Sequence, residues 1–370
     1  MKSFKKLLDA RVMIPHYKSL SPLTEMWATN WLWNSGPAID TLLDKIEMLT
    51  ISTTSRPGKV NMRDGKANVI QPRGASKMFH GLLRQFDMLP LSTDALHAMR
   101  DMDSEVVNVK AVQALEIQLE EMANLQQNFQ EVALAHILTF NRLNFNADNE
   151  LLLPSVHATT GVISDDAATS VTADFGIPNA NRGDLGGIVS ALWSTAATRI
   201  DTQLDALKRA ARVAGLPVPT DITVNGQKKS VLRSNTEFRA WAVNHQLRID
   251  QVLSGEGIKD LWGFNWHFVD STYTDISGTV RDVVPATSAV ITAPMNGRWV
   301  KRFNGSELVN LKGQLAFANA QQALESLDNV YGKFAYARLS ENPAQVQAFA
   351  GNNWGVGFAA PAIWVPTVFA

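Results

Sequence analysis

The sequence predicts a mixed α+β fold organised around one rod-like helix, and three observations predict it. Residues 103–143 carry a helical apolar period with no Gly or Pro to interrupt it. Residues 49–80 read as a β-prone, strongly basic hairpin. The C-terminal third is dense in strand-forming segments and ends in 29 residues, Asn342 to Ala370, that include no charged side chain.

The rod comes first because everything else must pack on it. Leu115, Leu119, Met122, Phe129, Ala133, Ile137 and Phe140 recur in steps that keep one stripe on one face. Glu116, Gln118, Glu120, Glu121, Asn124, Gln126, Gln127, Gln130 and Glu131 make the rest a polar, mostly acidic face. Asp103 or Ser104 offers an N-cap, and Asn144 to Asn149 offers turn chemistry for the stop. Such a helix is roughly 55–60 Å long. A core helix of an ordinary compact domain has no room for that length.

Composition narrows the function. The chain has 370 residues, 45% of them hydrophobic and 19% charged, with a net charge of −1. That balance lacks the basic surplus of a dedicated nucleic-acid binder. There is no cysteine, so disulfides, thiolate metal sites and cysteine nucleophiles are excluded. Ten tryptophans against four tyrosines point weakly to large, partly wet contacts. Met1 to Leu8 starts basic but meets Asp9 and Arg11 before any apolar run develops, so no secretory signal is read. No apolar stretch reaches membrane-spanning length, and a soluble, cytoplasmically made protein is expected.

In chain order, residues 1–48 read as an arm. Ser3–Leu20 is an amphipathic piece broken by Pro15, Leu23–Trp33 carries Trp27, Trp31 and Trp33, and Ala38–Met48 is expected to form a further short helix. These pieces have little to bury against one another, so they should lie along the rod or on another subunit. Next, Leu49–Thr54 and the segments flanking Asp64-Gly65 predict the hairpin. Arg56, Lys59, Arg63, Lys66, Arg73 and Lys77 stand there against Asp64 alone. Opposite charge on separated elements can fix the register of neighbouring subunits. After the rod, short strands lie at Leu151–Leu153, Gly161–Ile163 and Ser170–Pro178. A second helix is expected over Ile188–Ala214, closed by Gly215. Ile222–Val224 and Ser230–Leu232 read as strands, Thr236–Asp250 as a helix, and Gly263–Val269, Val283–Ile291 and Gly332–Arg338 as strand regions. The uncharged tail should be strands docked under the rod or between subunits.

No catalytic set converges. His16, His80, His97, His136, His157, His245 and His267 form no i, i+3 or i, i+4 ligand pair, and His136 reads as a rod-packing residue. The spacing of Gly58 and Gly65-Lys66 does not make a phosphate loop. Asp174-Phe175-Gly176 has no accompanying kinase loops and reads as a strand end turned by glycine ahead of Pro178. Arg182-Gly183-Asp184 is read as a chance adhesion triplet whose aspartate suits a helix start.

The order of these parts resembles the major capsid proteins of tailed bacteriophages, specifically the lambda-like E family with the Hong Kong 97-type fold. Five stretches carry the resemblance: the hairpin from Leu49 to Gly74, the rod from Leu115 to Phe145, Ala173-Asp174-Phe175-Gly176, the helix end Ala214-Gly215 with Pro219-Thr220, and Tyr273 to Gly278 with Pro285 and Val290 to Pro294. The Trp27–Trp33 segment matches no family hallmark. Some relatives join a loop lysine covalently to an asparagine. Lys59, Lys66, Asn352 and Asn353 supply the residue types here, but no motif pins a pair.

The resemblance implies an N-terminal arm (1–48), an extended E-loop hairpin (49–80), a peripheral P-domain (81–180) with the spine helix, a mainly axial A-domain (181–330), and C-terminal strands returning to the P-domain (331–370). It implies a non-enzymatic head protein with no cofactor, forming hexamers and pentamers of an icosahedral shell around double-stranded DNA. The encapsulin-type bacterial compartment is the alternative of the same fold, and a soluble enzyme with a long helical arm is the alternative of another class. Near-neutral charge suits a shell that must not grip DNA strongly. The expected partners are other copies of the chain, a portal, a separate scaffolding protein and a decoration protein, with no membrane. The expected location is the virion capsid after assembly in the host cytoplasm. Arg56, Lys59, Arg63, Lys66 and Arg73 are the expected intersubunit contacts.

Overall fold

A computed structural model describes residues 10–20, 26–43, 45–51, 75–90, 105–245, 253, 257–296, 299–310, 327–341 and 344–369. Its longest element is the spine helix, Glu105–Phe140, 36 residues and about 54 Å at 1.5 Å per residue. Its start lies beside residues 91–104, which are outside the described set, as are the proposed caps Asp103 and Ser104. Its end departs from expectation. Asn141 takes a left-handed φ of 56°, and Asn144 already lies in the strand Arg142–Phe145. Asparagine tolerates that conformation because its short side chain bonds locally, so one residue stops the helix and the turn chemistry of Asn146–Glu150 serves the following strands.

The spine rests on a six-stranded sheet that gathers both ends of the chain. Ile39–Thr41, Val300–Asn310, Ala344–Phe358 and Lys333–Glu341 follow in order, with Leu83–Pro90 paired to Ala344–Phe358 and Leu327–Tyr331 to Val300–Asn310. The long uncharged strand Ala344–Phe358 lies at its centre, where charge could not be solvated. A second six-stranded sheet takes Arg182–Gly183, Ile363–Pro366, Ala289–Thr292, Asp221–Asn225, Phe264–Val269 and Gly257–Leu261, in that order. The uncharged tail therefore divides: its first strand lies under the spine, its second enters the other sheet. Buried Ala133, Leu134, Ile137 and Leu138 of the spine share one hydrophobic cluster with Trp266, Val290, Ile291, Trp354 and Trp364. Among the described residues no helix is long and apolar enough to cross a membrane.

Several local expectations are corrected. Ala38–Met48 is not helical. Ile39–Thr41 pairs in parallel with Phe303–Gly305, and Lys45–Ile51 pairs with Ala75–Gly81. A short helix without tertiary support loses to a completed ladder. The second helix begins at Ile200 rather than Ile188. In the intervening stretch the Trp193 N–H donates to the Val368 carbonyl and the Thr198 hydroxyl to that of Leu192, long-range and local bonds that compete with helix. Ser230–Leu232 lies in a helix, Lys229–Ser234, not a strand. Asn225 starts that turn by accepting from the Gln227 N–H, and Asn235 caps the next helix, Thr236–Asn244, by accepting from the Phe238 N–H.

Two tripeptides resolve plainly. Asp174-Phe175-Gly176 ends the strand Val171–Asp174, with Asp174 accepting the Gly176 N–H and Gly176 at a φ of 75°. In Arg182-Gly183-Asp184 the arginine is buried, and Asp184 accepts the Gly186 N–H of a turn rather than starting a helix.

Candidate functional site

A spine helix and an arm can act as one part only if something fixes the arm to the rod. That junction is built from side chains the sequence placed on a polar face. Glu120 and Glu121 are exposed as expected, whereas Gln126, Gln127, Gln130 and Glu131 are buried. The rod is enclosed on two sides, so its polar side chains meet backbone instead of water.

Gln126 is the most connected of them. Its Oε1 accepts from the Tyr17 hydroxyl at 2.5 Å, and its Nε2 donates to Asp87 at 2.6 Å and to the Ala350 carbonyl at 3.0 Å. One amide thus joins the arm helix Ala10–Ser19 to two strands of the first sheet. Burial, with Asp87 adding to it, pushes the Tyr17 pKa up, so that hydroxyl stays a donor. Gln127 donates to the Leu20 carbonyl at 3.2 Å, and Asn352 donates to Gln130 at 3.4 Å. Ala10 and Ile14 of the arm pack with Val309 and Phe334 of the sheet.

The tryptophan segment is gripped at both ends. At its start the Glu131 carboxylate accepts the Ala28 and Thr29 N–H groups, both at 2.7 Å. No side chain of the segment's own caps it, so a residue more than a hundred positions away does so. A carboxylate at a helix N-terminus also meets the positive end of the backbone dipole. Desolvation raises the Glu131 pKa, and the hydrogen bonds from Thr29 and Ala28 oppose that rise. At the far end of the π-helical turn Thr29–Trp33, the Arg302 guanidinium donates through Nε to the Leu32 carbonyl at 2.5 Å and through Nη2 to the Ser35 hydroxyl and the Met295 carbonyl. Arg302 is 1% exposed, and burial pulls its pKa below the ordinary guanidinium value. Anion at the start and cation at the end complement the dipole of one short segment.

The tryptophans complete the joint. Trp33 meets Trp354 edge-on at 5.7 Å between ring centroids. Trp31 lies 4.6 Å from the His267 ring and donates to the Thr292 hydroxyl at 3.3 Å. The segment thereby touches the spine, the first sheet and the second sheet together. Glu131→Gln is expected to lower stability by about 1–2 kcal/mol, because the amide presents its NH2 to a backbone N–H that loses a charged acceptor. Urea unfolding at pH 7 checks it; an unchanged midpoint would show that the cap adds nothing.

His136 lies where the sequence placed it, packed in the spine. It is 2% exposed, its Nε2 is 3.1 Å from the Tyr273 hydroxyl, and its ring meets Phe140 edge-on. Burial drives its pKa down to about 3, so it is neutral at ordinary pH. No cluster of three or more His, Asp or Glu side chains fit to hold a metal occurs among the described residues.

The sequence comparison gives this junction a context. The family model described as phage major capsid protein E matches residues 99–314, more than half of the chain. This chain belongs to the phage major capsid protein E family. Its role is that of a structural shell subunit, one that assembles with copies of itself and resides in the virion capsid. No curated protein sequence matches the chain significantly. Among solved structures, one named as the capsid protein of a prophage of E. coli CFT073 is 12% identical with a TM-score of 0.55, covering 98% of this chain and 99% of that one. It shares the fold. A phage-related protein from Bordetella bronchiseptica RB50 is 11% identical with a TM-score of 0.47, covering 97% of each chain. A chain of the cyanophage A-1(L) capsid asymmetric unit is 11% identical with a TM-score of 0.43, covering 95% of this chain and 94% of that one.

The five basic residues expected to make contacts between capsid subunits, Arg56, Lys59, Arg63, Lys66 and Arg73, lie outside the described residues. The base of their hairpin is described: Lys45–Ile51 and Ala75–Gly81 pair antiparallel from Lys45↔Gly81 to Ile51↔Ala75. The hairpin starts four residues earlier than the sequence implied. Sequence reasoning missed Glu131 and Arg302 as clamp residues. In the sequence Glu131 is one of many rod acids, and nothing around Arg302 in Lys301-Arg302-Phe303 marks a buried cation.

Proposed function

We propose that this subunit forms hexamers and pentamers that tile an icosahedral head around double-stranded DNA, assembling in the host cytoplasm without catalysing a reaction. The match to the phage major capsid protein E family over residues 99–314 carries the reading, and it favours a phage head over an encapsulin-type compartment. The parts divide as arm (1–48), E-loop (49–80), P-domain (81–180), A-domain (181–330) and returning C-terminal strands (331–370). The clamp on the Trp27–Trp33 segment supports a role for the arm as the brace that makes spine and sheets one rigid tile. A separate scaffolding protein, a portal and a decoration protein are the expected further partners.

In this reading Arg56, Lys59, Arg63, Lys66 and Arg73 pair with acidic groups of adjacent P-domains. One exposed pair contributes only about 0–1 kcal/mol, but the contact recurs at every subunit of the lattice. The variant Arg56→Glu/Arg63→Glu/Arg73→Glu is expected to fold normally and to lose at least tenfold in particle yield, measured by sedimentation of cell extracts. Unchanged yield and unchanged particle stability would contradict it.

A further inference from the structure

The joint of arm, spine and first sheet contains two amides whose hydrogen bonding is half complete. Gln127 is 4% and Gln130 3% exposed. Gln127 donates through Nε2 to the Leu20 carbonyl, while its Oε1 meets no donor among the described residues. Gln130 accepts through Oε1 from Asn352, while its Nε2 meets no acceptor among them. The two residues are three positions apart on the spine, so their side chains share one face with Cβ atoms about 5–6 Å apart. Still they do not bond to each other, and an acceptor and a donor remain side by side in the interior. Native interiors rarely leave such atoms without a partner.

A lysine completes the set. Lys333 stands opposite Asn352 in the ladder of the first sheet. Directly opposed ladder residues send their side chains to one face, and Asn352 uses that face to reach Gln130. Lys333 therefore lies on the spine side, beside the two amides. The arm closes over the same place, where Tyr17 donates to Gln126 and Lys18 to the Tyr331 carbonyl. No ion pair joins Lys333 among the described residues, and burial pulls its pKa below the ordinary lysine value. The chemistry of the set selects its occupant. Gln127 Oε1 presents lone pairs, which disfavour an anion. Gln130 Nε2 and Lys333 Nζ present N–H groups, which disfavour a cation. A small neutral molecule that both accepts and donates suits all three. We infer that the seam holds an internal water, which donates to Gln127 Oε1 and accepts from Gln130 Nε2 and Lys333 Nζ. Internal waters typically make about three hydrogen bonds to buried groups, the number offered here. The water completes an unbroken chain of hydrogen bonds from Leu20 of the arm through the spine to Asn352 of the sheet. The Trp27–Trp33 segment is thus held by direct charged bonds, and the end of the arm helix by a solvent bridge. The site belongs to the single subunit and does not depend on assembly.

A crystallographic or electron-microscopy map of the full-length protein, at a resolution that shows ordered water, tests this. The expected result is a peak about 2.7–3.2 Å from each of Gln127 Oε1, Gln130 Nε2 and Lys333 Nζ. The same map of full-length Gln130→Leu should lose that peak and keep the other internal waters. Gln127→Leu repeats the test should the first variant misfold. Lys333 Nζ bonded directly to Gln127 Oε1, with nothing between them, would overturn the inference. So would a bare seam in a map that shows other internal waters, a peak that scatters as a chloride or a metal ion, or a peak that persists in the leucine variants.

Discussion

Replacing Arg302 with methionine is expected to destabilise the protein by about 2–4 kcal/mol. The substitution keeps the volume and removes the fork. The Met295 carbonyl then loses its donor, and the Leu32 carbonyl keeps only the Ser35 hydroxyl at 3.3 Å, in a site that water does not reach. Each orphaned acceptor costs roughly 1–3 kcal/mol. The Leu32 carbonyl adds the loss of its shorter, charge-assisted bond, and relief of the buried charge offsets part of the total. The loss should be local before it is global. In Arg302→Met the Trp27–Trp33 segment should become the first site of protease cleavage, at concentrations that leave the parent intact. Urea titration and limited proteolysis read the two parts. A variant with parental stability and an uncut arm would show that the dipole clamp does not hold the segment.

Acid should weaken the fold through His136. Its folded pKa of about 3 lies below the ordinary histidine value of 6.5, so between these values the unfolded chain binds the extra proton. Stability is therefore full above about pH 6.5 and falls as pH drops toward 3. At one pKa unit per 1.36 kcal/mol, the loss by pH 5 is about 2 kcal/mol. Tyr273 does not share this titration, because burial, with Asp275 adding to it, pushes its pKa up to about 12. Glu131 acts in the opposite direction. Its raised pKa means that the folded state holds a proton longer than the unfolded chain, so acid relieves the penalty there. The two groups are separable by substitution. His136→Gln should flatten the dependence of the urea midpoint between pH 7 and 5, whereas Glu131→Gln should leave that slope at least as steep. An equal slope in the parent and in His136→Gln would remove the histidine from the account.

The parts of this fold that were legible in the sequence are those that local rules decide. The spine showed because 36 residues lack Gly and Pro and keep one apolar stripe. Gly176 and Gly215 marked real turns, each with positive φ. The uncharged tail announced burial because charge is what solvent-exposed strands usually carry. What failed was decided by partners far away in the chain. Ile39–Thr41 is a strand because Phe303–Gly305 offers it a parallel ladder. Residues before Ile200 are not helix because Val368 takes the Trp193 N–H. The clamp was invisible for the same reason. Glutamate on a long helix reads as a solvated face, and only the arm's return to the rod turns Glu131 into a cap. The tryptophan count pointed toward large contacts, and the contacts described at Trp31 and Trp33 lie within the chain.

These elements make a shell tile. The most direct test is electron microscopy of the protein expressed alone and with its neighbouring gene products, after sizing by light scattering. Closed shells or tubes built of hexamers are expected, with pentamers at the vertices of closed particles and DNA rather than cargo enzyme inside mature ones. A stable monomer in both preparations would contradict it.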